Sequence, residues 1–163
     1  MRNILALGAV SLSLAAAAAA QLTPSAHVIV AAPEIKWGPA PPVLEKGAEF
    51  AVVSGDPGKA GPYVIRLKLP AGFKVAPHWH PTDENVTVIS GTFALGMGEK
   101  FDAAALKDLP PGGFGLMPAE MRHFAQAKTA AVVQVHGVGP FALNYVNPAD
   151  DPSKRVAPAP AAK

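Results

Sequence analysis

Three histidines and one glutamate are the residues of this chain whose types and spacing could support metal chemistry. His78, His80 and Glu84 lie at even-numbered separations in a stretch, GFKVAPHWHPTDENVTVISG, that otherwise has the character of a β-strand, and His123 lies downstream. Successive side chains of a strand point to opposite faces, so positions of equal parity project the same way. Imidazoles with a carboxylate and no thiolate suit one divalent ion of iron, manganese, zinc, nickel or copper. The pattern does not choose among these metals.

The same residues could instead form a hydrogen-bonded polar cluster without a metal. Burying polar groups without partners costs about 1–3 kcal/mol each, and a metal converts that cost into binding energy. We therefore predict four metal ligands, which are His78, His80, Glu84 and His123. Glu84 could also move a proton when its contact with the metal loosens.

Short strands separated by glycine and proline dominate residues 49–147, which we predict to be a single domain. Strands are predicted at 49–54, 63–69, 86–89, 92–95, 114–117, 123–127, 131–136 and 141–146. The Ser90–Gly91 pair is predicted to be a hairpin turn, and Asp102 to cap one short helix over 103–107. Strands recurring about every 8–12 residues indicate an antiparallel barrel or sandwich.

The first 20 residues have the pattern of a cleavable signal peptide. Arg2 precedes an apolar run that ends in alanines, which predicts cleavage after Ala20 and a periplasmic or secreted protein. A membrane anchor is the alternative, but the strongly apolar part is shorter than the ~20 residues that a spanning helix needs. We therefore expect no membrane insertion of the mature protein.

Composition narrows the classes of partner. The 163 residues include no cysteine, which excludes disulfides and thiolate ligands. Fourteen basic and twelve acidic residues leave a net charge of +2, with no basic run, so nucleic acid is not an expected partner.

Two proline-rich segments flank the predicted domain. Residues 21–48 are predicted to form an extended arm, which could lie across a sheet or serve as a loose linker. The arm, with Trp37, fits a homodimer without requiring one. Residues 148–163 form a Pro/Ala tail without apolar periodicity, and we predict that it is disordered.

The spacing around the predicted ligands resembles the two motifs of the cupin superfamily. Five positions match the first motif: Gly72, His78, His80, Glu84 and Gly91. Three match the second: Gly112, Pro118 and His123. Two positions of the second motif depart from it, because Glu120 replaces a glycine and Ala127 replaces an asparagine. The resemblance covers about residues 49–146. It implies a double-stranded β-helix, or jelly-roll cupin barrel, with one divalent metal inside.

Three further residues are weaker site candidates. Gln134 and His136 share one face of a predicted strand, so they could line the barrel interior as substrate contacts or as supports for the ligands, or they could face solvent. Glu120 could act as an acid or base at the barrel mouth, or be a surface turn residue.

The resemblance also implies a class of function. Many cupins with three histidines and a glutamate are dioxygenases or related oxidoreductases, while isomerases and lyases also use this ligand set. The mostly apolar inner face favours a small uncharged or aromatic molecule as substrate. The alternative is a non-catalytic periplasmic protein that binds a metal or a small ligand.

Overall fold

The computed structural model describes residues 27–155, which form two antiparallel sheets. The strands in these residues are β1 Gly38–Pro39, β2 Glu49–Ser54, β3 Gly61–Leu69, β4 Lys74–Trp79, β5 Glu84–Ser90, β6 Phe93–Met97, β7 Lys107–Leu109, β8 Phe114–Met117, β9 His123–Ala127, β10 Ala131–Gly139 and β11 Asn144–Tyr145. One sheet has the order β1-β2-β3-β10-β5-β8 and the other the order β11-β4-β9-β6-β7. The architecture is therefore the predicted jelly-roll barrel.

The core lies between the two sheets. In β3, Tyr63, Ile65 and Leu69 are buried at alternate positions, as expected for a strand with one face in the core. In β10, Val133 and Val135 are buried, and they pair in register with Leu67 and Ile65 of β3. This register places the apolar faces of neighbouring strands on the same side, which encloses an apolar interior.

The segment from β4 to β6 differs from the prediction. The continuous strand expected through positions 78–84 is broken, because β4 ends at Trp79 and Glu84 begins β5 in the opposite sheet. The turn at Ser90–Gly91 is not a hairpin, since β5 and β6 belong to different sheets. A local turn signal is the same whether the chain reverses within a sheet or crosses to the facing one.

The predicted arm packs on the barrel over its described part. It forms a single 3-10 turn at Ala32–Glu34, and then β1 pairs with β2 and forms one edge of the sheet. Beyond β1, Leu44 packs against the core cluster. The predicted short helix at 103–107 is one 3-10 turn at Ala103–Ala105, whose Ala104 N–H donates to the side chain of Asp102.

Part of the predicted disordered tail is ordered. Residues Pro148–Asp150 and Pro152–Lys154 form two 3-10 turns, capped by the side chains of Asn147 and Asp151. Arg155 pairs with Glu45 at 2.6 Å. These side-chain caps and this ion pair order residues 148–155, and amino-acid composition alone does not reveal such contacts.

The remaining terminal predictions fall on residues that the structure does not describe. The signal peptide, with its cleavage after Ala20, and the tail at 156–163 lie outside the described range. Within that range, no helix is long and apolar enough to cross a membrane.

Candidate metal centre

The structure brings the four predicted ligands to one point inside the barrel. One donor atom from each of His78, His80, Glu84 and His123 lies within 4.8 Å of the others. All four side chains are buried, with between 1% and 7% of each residue exposed. A single ion could contact all four donors.

Both sheets contribute to the cluster. His78 in β4 is directly opposite His123 in β9, and their ring centroids are 4.1 Å apart. His80 follows the end of β4, whereas Glu84 opens β5 in the other sheet. The carboxylate therefore approaches the imidazoles across the barrel interior, and not along one strand as the sequence suggested.

Backbone carbonyls fix the orientation of all three imidazoles. The Nδ1 atoms of His78, His80 and His123 lie 2.8, 2.7 and 3.0 Å from the carbonyl oxygens of Ala76, Ala142 and Met121 respectively. A carbonyl oxygen only accepts, so each Nδ1 carries the hydrogen and donates it. In the neutral rings, the Nε2 atoms then present lone pairs to the cluster, which is the arrangement that metal coordination requires.

Two of these Nε2 atoms, those of His80 and His123, are buried without a hydrogen-bond partner. They lie 3.4 and 3.3 Å from Glu84 Oε2, beyond the usual charge-assisted hydrogen-bond length of about 2.7–2.9 Å. Lone pairs facing a carboxylate at this distance repel it unless a proton or a metal cation lies between them. The donor set therefore fits a divalent metal ion.

Electrostatics keep the carboxylate charged. Burial opposes ionisation of Glu84, but the imidazoles of His123 and His80 outweigh burial and hold the pKa of the carboxyl well below its usual range. Burial, with the neighbouring His123 and His80, lowers the pKa of His78 to about 3. Burial also disfavours charge on His80, but Glu84 outweighs it and raises the pKa of this imidazole. A metal binds the neutral imidazole, so metal binding would release any proton held at His80 Nε2.

An apolar cavity of about 60 Å³ adjoins the cluster. His78, Glu84 and His123 line it together with aliphatic and aromatic side chains from both sheets. Among the described lining residues, Glu84 is the only acidic one and there is no lysine or arginine. The cavity therefore suits an uncharged ligand.

Gln134 and His136 do not line this cavity, and of the two placements left open by the sequence, the solvent-facing one agrees with the structure. The buried Val133 and Val135 occupy the interior face of β10, which directs the alternate residues outward. On that outer face Arg66 Nε donates to Gln134 Oε1 at 3.0 Å.

Glu120 lies in the turn before β9, with its side chain exposed. Its backbone N–H donates to the His80 carbonyl at 2.8 Å, and its φ is 62°. Left-handed backbone is the conformation that glycine adopts without steric cost, which explains why a glycine suits this motif position. The turn geometry is kept here despite the glutamate.

Replacing Glu120 by glycine is expected to stabilise the protein by about 0.5 kcal/mol. Relief of the left-handed strain, about 1–2 kcal/mol, exceeds the extra unfolded-state entropy of glycine, about 0.5–1 kcal/mol. Urea unfolding measures the difference, and Glu120→Ala is the control because it keeps both the Cβ and the strain. Equal stability of the two variants would contradict this explanation.

Sequence reasoning missed the support given to His80 by residues 141 and 142. The Phe141 ring stacks on the His80 ring at a centroid distance of 4.9 Å, and the next carbonyl accepts from His80 Nδ1. A lone aromatic after Gly-Pro gives no signal of this role, because the contact depends on how the chain returns to the cluster after β10.

Two facing antiparallel sheets with this interior cluster define a cupin barrel, and comparison with solved structures agrees. No known family profile and no curated protein matches the chain. The polyketide cyclase RemF from Streptomyces resistomycificus is similar at a TM-score of 0.64 and 15% identity, over 79% of this chain and 92% of that one. An acetylacetone dioxygenase from Acinetobacter johnsonii is similar at a TM-score of 0.60 and 14% identity, over 80% and 83%. An RmlC-like cupin from Shewanella frigidimarina is similar at 0.55 and 14%, over 70% and 91%. The chain therefore has the cupin fold.

Proposed function

We propose that this protein is a metal-dependent oxidoreductase of dioxygenase type that acts on a small uncharged or aromatic molecule. The observation that carries the proposal is the buried His78, His80, Glu84 and His123 cluster, with its unpartnered Nε2 atoms, beside an apolar cavity. A bound divalent cation with open coordination positions would supply the Lewis acidity and electron transfer that this chemistry needs.

The residues of the chain have separate roles in this proposal. His78, His80 and His123 would hold the cation through their Nε2 atoms, since each Nδ1 hydrogen is donated to a backbone carbonyl. Glu84 balances part of the charge and can take up or release a proton at a carboxylate oxygen. The apolar walls exclude water and position the substrate against the cluster.

The substrate class follows from the cavity lining. A carboxylate substrate would enter an apolar space that has no basic side chain among its described lining residues, and it would meet the negative charge of Glu84. An uncharged carbonyl or aromatic compound avoids both costs. Among proteins of the same fold, one is an acetylacetone dioxygenase and another a polyketide cyclase, so the fold by itself does not fix the reaction.

The second candidate is a non-catalytic protein that binds a metal or a small ligand. It is favoured by the complete burial of the four donors and by the small volume of the cavity, which suit retention of a cation.

Both candidate functions include export through the predicted signal peptide, and we also propose that the protein is a homodimer. Mass spectrometry of the protein recovered from its native compartment tests cleavage after Ala20, and sedimentation analysis tests the number of subunits.

Oxygen uptake separates the two candidates. The protein is loaded in parallel with Fe²⁺, Mn²⁺, Cu²⁺ and, as the redox-inert control, Zn²⁺, then assayed against a panel of small diketones and phenols. Oxygen consumption with a redox-active metal and none with Zn²⁺ supports the oxidoreductase. Stable binding of the metals without turnover of any compound supports the binding protein.

A further inference from the structure

One wall of the metal cavity does not belong to the barrel strands. Pro41, Val43 and Leu44, from the segment between β1 and β2, line the same cavity as His78, Glu84 and His123. We call residues 41–45 the arm loop. Val43 and Leu44 are only half-buried, so they separate the apolar interior from solvent.

Hydrogen bonds to backbone and to one tyrosine hold the arm loop in place. At its base the Ala40 N–H donates to the Ala48 carbonyl at 3.1 Å, and within it the Leu44 N–H donates to the Pro41 carbonyl at 2.9 Å. Its middle is tied by the Tyr145 hydroxyl, which donates to the Val43 carbonyl at 2.8 Å. These contacts fix where the Leu44 side chain lies without any ladder pairing at that residue.

The Tyr145 contact joins the arm loop to the metal cluster. Tyr145 lies opposite His78 in the β11–β4 pair, and the two rings are 6.2 Å apart. An unperturbed tyrosine phenol is already protonated at neutral pH, so Tyr145 can donate this hydrogen bond there. The wall formed by the arm loop is therefore tied to β11, the strand that pairs with the His78-bearing strand β4.

We propose that the arm loop is the ligand-selecting wall of the cavity and that Leu44 sets the size of the uncharged molecule that fits. The proposal rests on the proposed function, because it names the residue that selects the ligand of the same site. The present cavity of about 60 Å³ is small for a ring, whereas a dry apolar cavity of about 150 Å³ holds benzene. Shortening Leu44 enlarges the cavity from its solvent side while leaving every barrel strand unchanged.

Benzene binding to the metal-free full chain tests this proposal. Leu44→Ala is expected to bind benzene at least about tenfold more tightly than the unmodified protein, because fitting or excluding a single methylene in an apolar pocket is worth about 10- to 200-fold. Leu44→Phe is expected to bind benzene more weakly than the unmodified protein. The control is Leu116→Ala, which shortens a leucine that is 48% exposed in β8 and does not line the cavity. It should leave benzene affinity unchanged.

Three results would overturn the proposal: equal affinity in the unmodified protein and Leu44→Ala, no benzene binding by either, or the same gain in Leu116→Ala. If Leu44→Ala fails to fold, Leu44→Val enlarges the cavity less and should give a smaller gain in benzene affinity. No gain in affinity for Leu44→Val would also count against the proposal. Because benzene needs no metal, a failure here is distinguishable from a failure of the metal-loading and oxygen-uptake experiments.

Discussion

Replacing His123 by alanine is expected to lower metal affinity by more than about 100-fold and to leave the purified protein without its cation. Removing only the hydrogen-bond partner of a metal ligand typically lowers metal affinity by about 10- to 100-fold, and this substitution removes a ligand itself. It also leaves the buried Glu84 carboxylate with one fewer imidazole beside it. Elemental analysis after dialysis gives the stoichiometry, and calorimetric titration with Zn²⁺ gives the affinity.

The matched control for this substitution is His136→Ala. His136 is a histidine on the outer face of β10 and does not belong to the cluster, so its removal should leave stoichiometry and affinity unchanged. Full retention of metal by the folded His123→Ala variant would refute the four-donor site. Equal losses in both variants would indicate a general effect on folding.

Replacing Gly91 by alanine is expected to destabilise the protein by about 3 kcal/mol or more. The residue has a φ of 75°, and a Cβ built on it overlaps the carbonyl oxygen of Ala130. Left-handed backbone costs about 1–2 kcal/mol, and overpacking against backbone that cannot move adds about 1–3 kcal/mol. The free energy of unfolding in urea measures the effect.

Gly72 is the matched control because it occupies the other glycine position of the first motif. Its φ is 81°, but a Cβ there meets no atom within 4 Å. Gly72→Ala should therefore cost only the backbone strain, about 1–2 kcal/mol. Equal destabilisation by the two substitutions would show that crowding against Ala130 is not what requires glycine at position 91.

Local pattern was sufficient to predict most of the barrel and its ligands. The alternation of apolar residues predicts strands 49–54, 114–117 and 123–127 with the bounds that the structure has. Motif spacing predicts the four residues that meet at the candidate centre. Strand alternation depends on residues close in sequence, for which side-chain direction follows from backbone geometry, whereas the ligand set was predicted by motif spacing although Glu84 lies in a different strand from His78.

Other features depend on pairing between distant strands. Alternation places Val135 and His136 on opposite faces of β10, but it does not say which face is interior. The predicted polar metal site inside the barrel made an interior position for His136 as plausible as an exposed one. The register of Val135 with Ile65 decides the question. The role of Leu44 was hidden for the same reason, because nothing near it in sequence indicates that the arm returns to cover the cavity.

The partner of His80 has a consequence for when the centre can form. His80 Nδ1 contacts the carbonyl of Ala142, which lies 62 residues further along the chain. During synthesis all four donor residues leave the ribosome before Ala142, whose carbonyl orients the His80 ring. A chain that ends before Ala142 lacks the carbonyl that orients His80, so the donor arrangement seen here requires the chain as far as that residue.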